Sequence, residues 1–242
     1  VRFPRKILYP FHGVPMIEHV RRRAEFSGCF DEIYVATCDE EIKLAVEEAG
    51  GKVIITGHQH ENGTTRVAEA IDAVDCSHVV LLQGDEPLLL PRHIESLVGA
   101  IRHAPEGDAW NATGPIESEE ELDRHSFVKC AITANGRIMY CFRRSPCYSE
   151  LEVQQKFVRK ILGMIAFKKE FLLELVKAKP SMVETVEFIE QMRIIEIGGQ
   201  LSSVAVEPSL PSVNEPSEEQ IVLDYIEADR EQRELLTRVL DY

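Results

Sequence analysis

Residues 79–89 read VVLLQGDEPLL, an apolar run that ends in two adjacent carboxylates, Asp85 and Glu86, followed by a proline. Acids delivered at the carboxyl end of a buried strand stand where open α/β sheets bind their ligands. One or two carboxylates there can hold Mg²⁺ against phosphate oxygens. The plain alternative is an Asp-Glu-Pro turn that leads into the next helix. Other chemistries lack their residues. The histidines show neither HExxH nor HxxxH spacing, which excludes a zinc hydrolase of that kind. The chain also has no CxxC pair and no GxxxxGK[ST] loop.

The elements that must position these acids alternate along the chain. Residues 14–28, VPMIEHVRRRAEFSG, place Met16, Ile17, Val20 and Ala24 at helical spacing between a proline and a glycine, which predicts a helix. EIYVAT at 32–37 predicts a strand, DEEIKLAVEEAGG a helix with an acidic first turn, and KVIIT a further strand. TRVAEAIDAV, HVVLLQGD and PRHIESLVGAIRHA continue as helix, strand and helix, so a mainly parallel sheet covered by helices is expected. From DAWNATGPI at 108 the pattern changes. FVKCAIT and RIMYCFRR flank Asn135-Gly136 and predict a β-hairpin. A polar loop near 147–157 precedes the strand ILGMIAF. KKEFLLELVKA and MVETVEFIEQMRIIEIGG read as helices, LSSVAVE as a strand, and the end of the chain as one long helix.

Composition bounds the partners. The 242 residues carry 27 Lys plus Arg against 41 Asp plus Glu, a formal charge of −14. That balance argues against a surface that neutralises duplex phosphates. No apolar run approaches the roughly 20 residues of a membrane span. The six cysteines read as buried thiols without disulfides or zinc and, with no signal peptide in view, fit a reduced cytoplasm. The chain opens at Val1 within what reads as a loop, so a preceding segment is expected.

LQGDEPLL resembles the strand-end motif of the CMP-Kdo synthetases (3-deoxy-manno-octulosonate cytidylyltransferases), which are GT-A-like nucleotidyltransferases. RFPRKIL, GVPMIEHV, IYVATCDEEI and HENGTTRVAEA are similar to the family's nucleotide-binding stretches. FVKC, MYCFRRSP, LGMIAF and VEFIEQMRIIEIG follow in the family's order. The resemblance implies a single GT-A-like α/β nucleotidyltransferase domain over 1–242. Within it, 1–108 would bind nucleotide, 109–200 would form a smaller β-containing acceptor and dimerisation lobe, and 201–242 a closing strand and helix. It also implies transfer of CMP from CTP to an acidic sugar with release of pyrophosphate, Mg²⁺ dependence, a homodimer and a place in lipopolysaccharide biosynthesis.

Residue by residue, the resemblance puts Arg2 and Lys6 on the triphosphate, where cations offset the charge gathering on the leaving pyrophosphate. His60, Gly63, Thr64 and Arg66 would lie along the nucleotide, although Asn-Gly-Thr is also a turn and helix cap. Gln83 and Gly84 would lie near cytidine, and Asp85 would hold the metal. Lys129, Arg143, Arg144, Glu187 and Gln191 would face the acceptor. The chain departs from the family pattern at several positions. Arg5 stands for a glycine, Ile7 for a proline, and Asn214 for the second metal-ligand aspartate, with Glu215 beside it. Ile161, Ile165 and Phe167 stand where a histidine and two tyrosines would hydrogen-bond sugar hydroxyls. Three acceptor classes remain open on this reading: Kdo, another acid (amino-Kdo, a sialic-like sugar or a small phosphonate), or none, in a nucleotide-binding paralogue of weakened activity.

Overall fold

The computed structural model describes residues 6–213 and 218–242. After a 3₁₀ turn at Lys6–Leu8 come β1 (Pro10–Phe11), β2 (Val14–Pro15), α1 (Met16–Phe26), β3 (Tyr34–Thr37), α2 (Glu40–Glu48), β4 (Lys52–Ile55), α3 (Gly63–Ile71), β5 (His78–Leu82) and α4 (Pro91–His103). There follow β6 (Ala109–Gly114), α5 (Glu119–Asp123), β7 (Lys129–Ile132), β8 (Ile138–Phe142), α6 (Leu151–Gln154) and β9 (Val158–Lys168). The chain closes with α7 (Lys169–Leu175), α8 (Met182–Glu187), α9 (Gln191–Glu196), β10 (Leu201–Ala205), α10 (Glu219–Ala228) and α11 (Arg230–Leu240).

These elements form two compact units. One takes residues up to 70, 82–95 and 210–242; the other takes 71–81 and 96–209. In the first, β3 and β4 pair in parallel, with Tyr34 opposite Lys52. Helix α1 buries Met16, Ile17, Val20 and Ala24, the stripe its periodicity predicts. Met16 joins Phe11, Leu88, Val213, Val222 and Ile226 in one apolar cluster, and Ile17 joins Val35, Ile42 and Val46 in another. Asp39 caps α2 by accepting from the Glu41 backbone N–H at 2.9 Å.

In the second unit the sheet runs β10-β6-β9-β7-β8, with β5 also paired to β9. Strand β10 is parallel to β6, whereas β9 is antiparallel to both β6 and β7, and β7 and β8 form the expected hairpin. Gly136 adopts φ +80°, the left-handed turn position that its Asn-Gly dipeptide predicts.

Four sequence expectations are corrected. The run MVETVEFIEQMRIIEIGG is two short helices, because Phe188 turns left-handed (φ 55°) and ends α8. The single C-terminal helix is also two, since Asp229 is extended and caps α11 through the Gln232 backbone N–H. The polar stretch 147–157 contains the one-turn α6. Of the cysteines only Cys130 and Cys141 are buried; the other four are half-buried, and all six are free. Strand β6, by contrast, gave no signal in the sequence. All six of its residues are buried, so it has no alternation, and its Asn111 and Thr113 read as loop.

Candidate functional site

The first unit gathers the candidate phosphate and metal residues at one point. Lys6 follows directly on the basic segment of the N-terminus, and Asp85 lies three residues beyond the end of β5. The Lys6 ammonium donates to Asp85 Oδ2 at 2.5 Å and to the Val213 carbonyl at 3.1 Å. The two side chains are 25% and 17% exposed, so the pair is open to a ligand. The Val213 backbone N–H in turn donates to the Asp85 carbonyl at 3.1 Å, which ties the segment before residue 214 to the acid. A Cβ on Gly84 would lie 3.1 Å from Ile17 Cδ1, a tight contact, and 3.5 Å from Ile7 Cγ2. Gln83 is exposed. Arg2, Arg5, Asn214 and Glu215 lie outside the described residues.

A second constellation in this unit is the loop that follows β4. Asn62 Oδ1 accepts from the Thr65 backbone N–H at 2.9 Å, so the helix-cap reading of HENGTTR holds and Gly63 opens α3. Arg66 Nη1 donates to Thr56 Oγ1 at 2.6 Å. His60 Nε2 lies 2.5 Å from Glu69, which also accepts from the Gly57 backbone N–H at 2.8 Å and from Gln59 at 2.9 Å. These bonds hold the Glu69 carboxyl below its usual range, the Gly57 N–H contributing most. Glu69 was not singled out in the sequence. Its cue is its place two turns after the Asn62 cap, on the side of α3 that faces back toward residue 57.

The candidate acceptor residues lie in the second unit. Lys129, fully buried, donates to the backbone carbonyls of Arg124 (2.8 Å) and Arg143. Burial lowers its pKa to about 8. Arg143 spreads its guanidinium over the carbonyls of Glu187 (2.6 Å), His125 (2.9 Å) and Phe188 (3.1 Å). In this conformation it joins backbone segments. Arg144 pairs with Asp123 at 3.1 Å on the surface. Gln191 donates to Asn111 Oδ1 at 3.1 Å, and the Asn111 amide donates to the carbonyls of Leu162 (3.0 Å) and Met164 (3.3 Å) where β9 shifts register against β6. Glu187 contributes its carbonyl to Arg143, and its side chain lies on the short helix α8. Ile165 and Phe167 are buried and Ile161 is half-buried, so the apolar replacements pack along β9.

No group of three or more His, Cys, Asp or Glu side chains that could hold a metal ion exists among the described residues. Asp85 therefore offers one carboxylate. That donor set fits Mg²⁺, which is usually bound through one or two carboxylates together with substrate phosphates. No helix among the described residues is long and apolar enough to cross a membrane.

Comparison with known proteins agrees with this geometry. The family model described as cytidylyltransferase matches residues 1–204. The 8-amino-3,8-dideoxy-manno-octulosonate cytidylyltransferases of Shewanella halifaxensis and Shewanella pealeana are each 36% identical over 221 residues, covering 90% of this chain and 90% of theirs. Among solved structures, CMP:2-keto-3-deoxy-manno-octonic acid synthetase complexed with CTP matches with a TM-score of 0.87 at 30% identity, over 94% of both chains. A 4-diphosphocytidyl-2C-methyl-D-erythritol synthase from Anaerococcus prevotii matches with a TM-score of 0.64 at 14% identity, a likeness of fold alone. The expected α/β fold and the family resemblance are both borne out.

Proposed function

The chain belongs to the cytidylyltransferase family, and from that premise we propose that it transfers CMP from CTP to 8-amino-3,8-dideoxy-manno-octulosonate, an acid of the Kdo kind, releasing pyrophosphate. The observation that carries this reading is the ammonium and carboxylate of Lys6 and Asp85, 2.5 Å apart, on the two segments assigned to triphosphate and metal. The choice of the amino acid sugar over Kdo follows the relatives named for it.

The acceptor's anomeric hydroxyl attacks the α-phosphorus and pyrophosphate leaves roughly in line, which asks the protein for positioning and charge neutralisation. Lys6 and Arg2 meet the triphosphate and offset the charge that develops on the leaving group. Asp85 and the triphosphate oxygens would hold Mg²⁺, with Asn214 or Glu215 beside them. When bound, the ion supplies further neutralisation and a template for the phosphates. The loop 57–60, braced by Glu69 and Arg66, positions His60, Gly63 and Thr64 along the nucleotide, with Gln83 and Gly84 near the base. Gln191, Asn111, Lys129, Arg143, Arg144 and Glu187 frame the acceptor side.

The active form is a homodimer in the cytoplasm. Free cysteines support the compartment, and exposed apolar side chains at Met139, Tyr140, Met182, Val186 and Phe188 support the assembly. The test is pyrophosphate release from CTP and Mg²⁺ with the 8-amino acid, Kdo and a sialic acid side by side. Release fastest with the 8-amino acid supports the proposal. Preference for another acid overturns the acceptor, and CTP binding without release from any acid overturns the reaction.

A further inference from the structure

We propose that Lys6 occupies the cation position on Asp85 in the nucleotide-free protein, so that a divalent ion binds together with or after CTP and never before it. This rests on the reading of Asp85 as the metal ligand. The Lys6 ammonium has a seat of two acceptors, Asp85 Oδ2 at 2.5 Å and the Val213 carbonyl at 3.1 Å. The seat is firm. Val213 is fully buried, and its N–H is bonded to the Asp85 carbonyl at 3.1 Å, so both acceptors belong to one braced unit of backbone. Among the described residues Asp85 belongs to no cluster of three or more His, Cys, Asp or Glu that could hold a metal ion. Asp85 thus brings a single negative charge, and Lys6 already neutralises it.

A divalent cation approaching this pair meets no net attraction and must lose part of a tightly held water shell. The polyanionic triphosphate changes the balance. A lysine is a compact point charge on a flexible stem, and Lys6 can exchange the carboxylate for phosphate oxygens without an unpaired stage. Asp85 is then free to share a metal with those phosphates. An arginine here would hold the carboxylate with a fork and exchange less readily. The sequence of events follows from the charges: CTP displaces Lys6, and only then does Asp85 become a metal ligand.

The experiment measures Mn²⁺ binding to nucleotide-free protein by the electron paramagnetic resonance of the free ion, which needs no turnover and so stands apart from the assay of the reaction. Wild type, Lys6→Met, Lys6→Gln, Lys6→Arg and the double variant Lys6→Met/Asp85→Asn are compared, each checked for a wild-type melting curve. Expected is binding at least tenfold tighter in Lys6→Met and Lys6→Gln, binding as weak as wild type in Lys6→Arg, and loss of the gain in the double variant. A smaller gain in whichever neutral variant folds, or a gain that survives Asp85→Asn, overturns the proposal.

Discussion

Asp85 is the residue on which the proposed chemistry turns, and its stability role is small. Partly exposed ion pairs contribute about 0–1 kcal/mol, so Asp85→Ala is expected to abolish pyrophosphate release while shifting the unfolding free energy by no more than that. Urea titration beside the coupled pyrophosphate assay checks both halves; unaltered turnover would refute the metal assignment. Glu69 is expected to act through the loop it holds. Glu69→Ala frees Gly57, Gln59 and His60 and should raise the KM for CTP about tenfold with kcat within about threefold, the pattern of lost uniform binding. Steady-state kinetics at saturating acceptor reads the split. Asp85 was legible because an acid after an apolar run is unusual. Its partner was not, since Lys6 lies 79 positions away and no local pattern records such a meeting. Asn111 was missed for a related reason: a polar residue inside a buried strand reads as loop until its neighbours in space are known.

Individual elements carry two further expectations. Helix α1 buries His19 completely, with Nε2 against the Phe11 carbonyl at 2.9 Å. Burial lowers the His19 pKa to about 4 from 6.5. Between those values the unfolded chain binds the proton and the folded one does not. The stability His19 contributes is therefore complete above pH 6.5 and is lost as pH falls toward 4, by about 3 kcal/mol in all. Urea unfolding at pH 7 and pH 4.5 should show a smaller acid loss in His19→Gln than in wild type. In the hairpin, Arg143 joins three backbone carbonyls and braces the left-handed turn at Phe188. Charged hydrogen bonds of this kind contribute about 1.5–3 kcal/mol, so Arg143→Ala should cost about 3 kcal/mol. Arg144→Ala, which removes an exposed pair 80% and 65% open to solvent, should cost under about 0.5 kcal/mol. Chemical denaturation of the two variants compares them directly. The hairpin itself was plain from Asn135-Gly136, whereas the break at Phe188 was not, because nothing in its side chain asks for a positive φ.

At the scale of the whole molecule, the proposed homodimer is open to sedimentation equilibrium, which should return twice the 27.4 kDa chain mass. Phe188→Asp, placed on a side chain 80% exposed, should shift that mass toward the monomer at micromolar concentration; an unchanged dimer would remove Phe188 from the interface. The alternation of helix and strand up to residue 103, the hairpin and the family membership were all determined by the sequence alone. They depend on periodicity, turn residues and motif order, which are properties of neighbours along the chain. Only the tertiary structure decided which backbone carbonyls Lys129 and Arg143 would satisfy, that β6 enters a sheet of mixed direction, and that Lys6 rests on Asp85. Each of these depends on which distant groups folding brings within hydrogen-bond reach, and a buried charge takes whatever partner it finds there because an unpaired one costs too much.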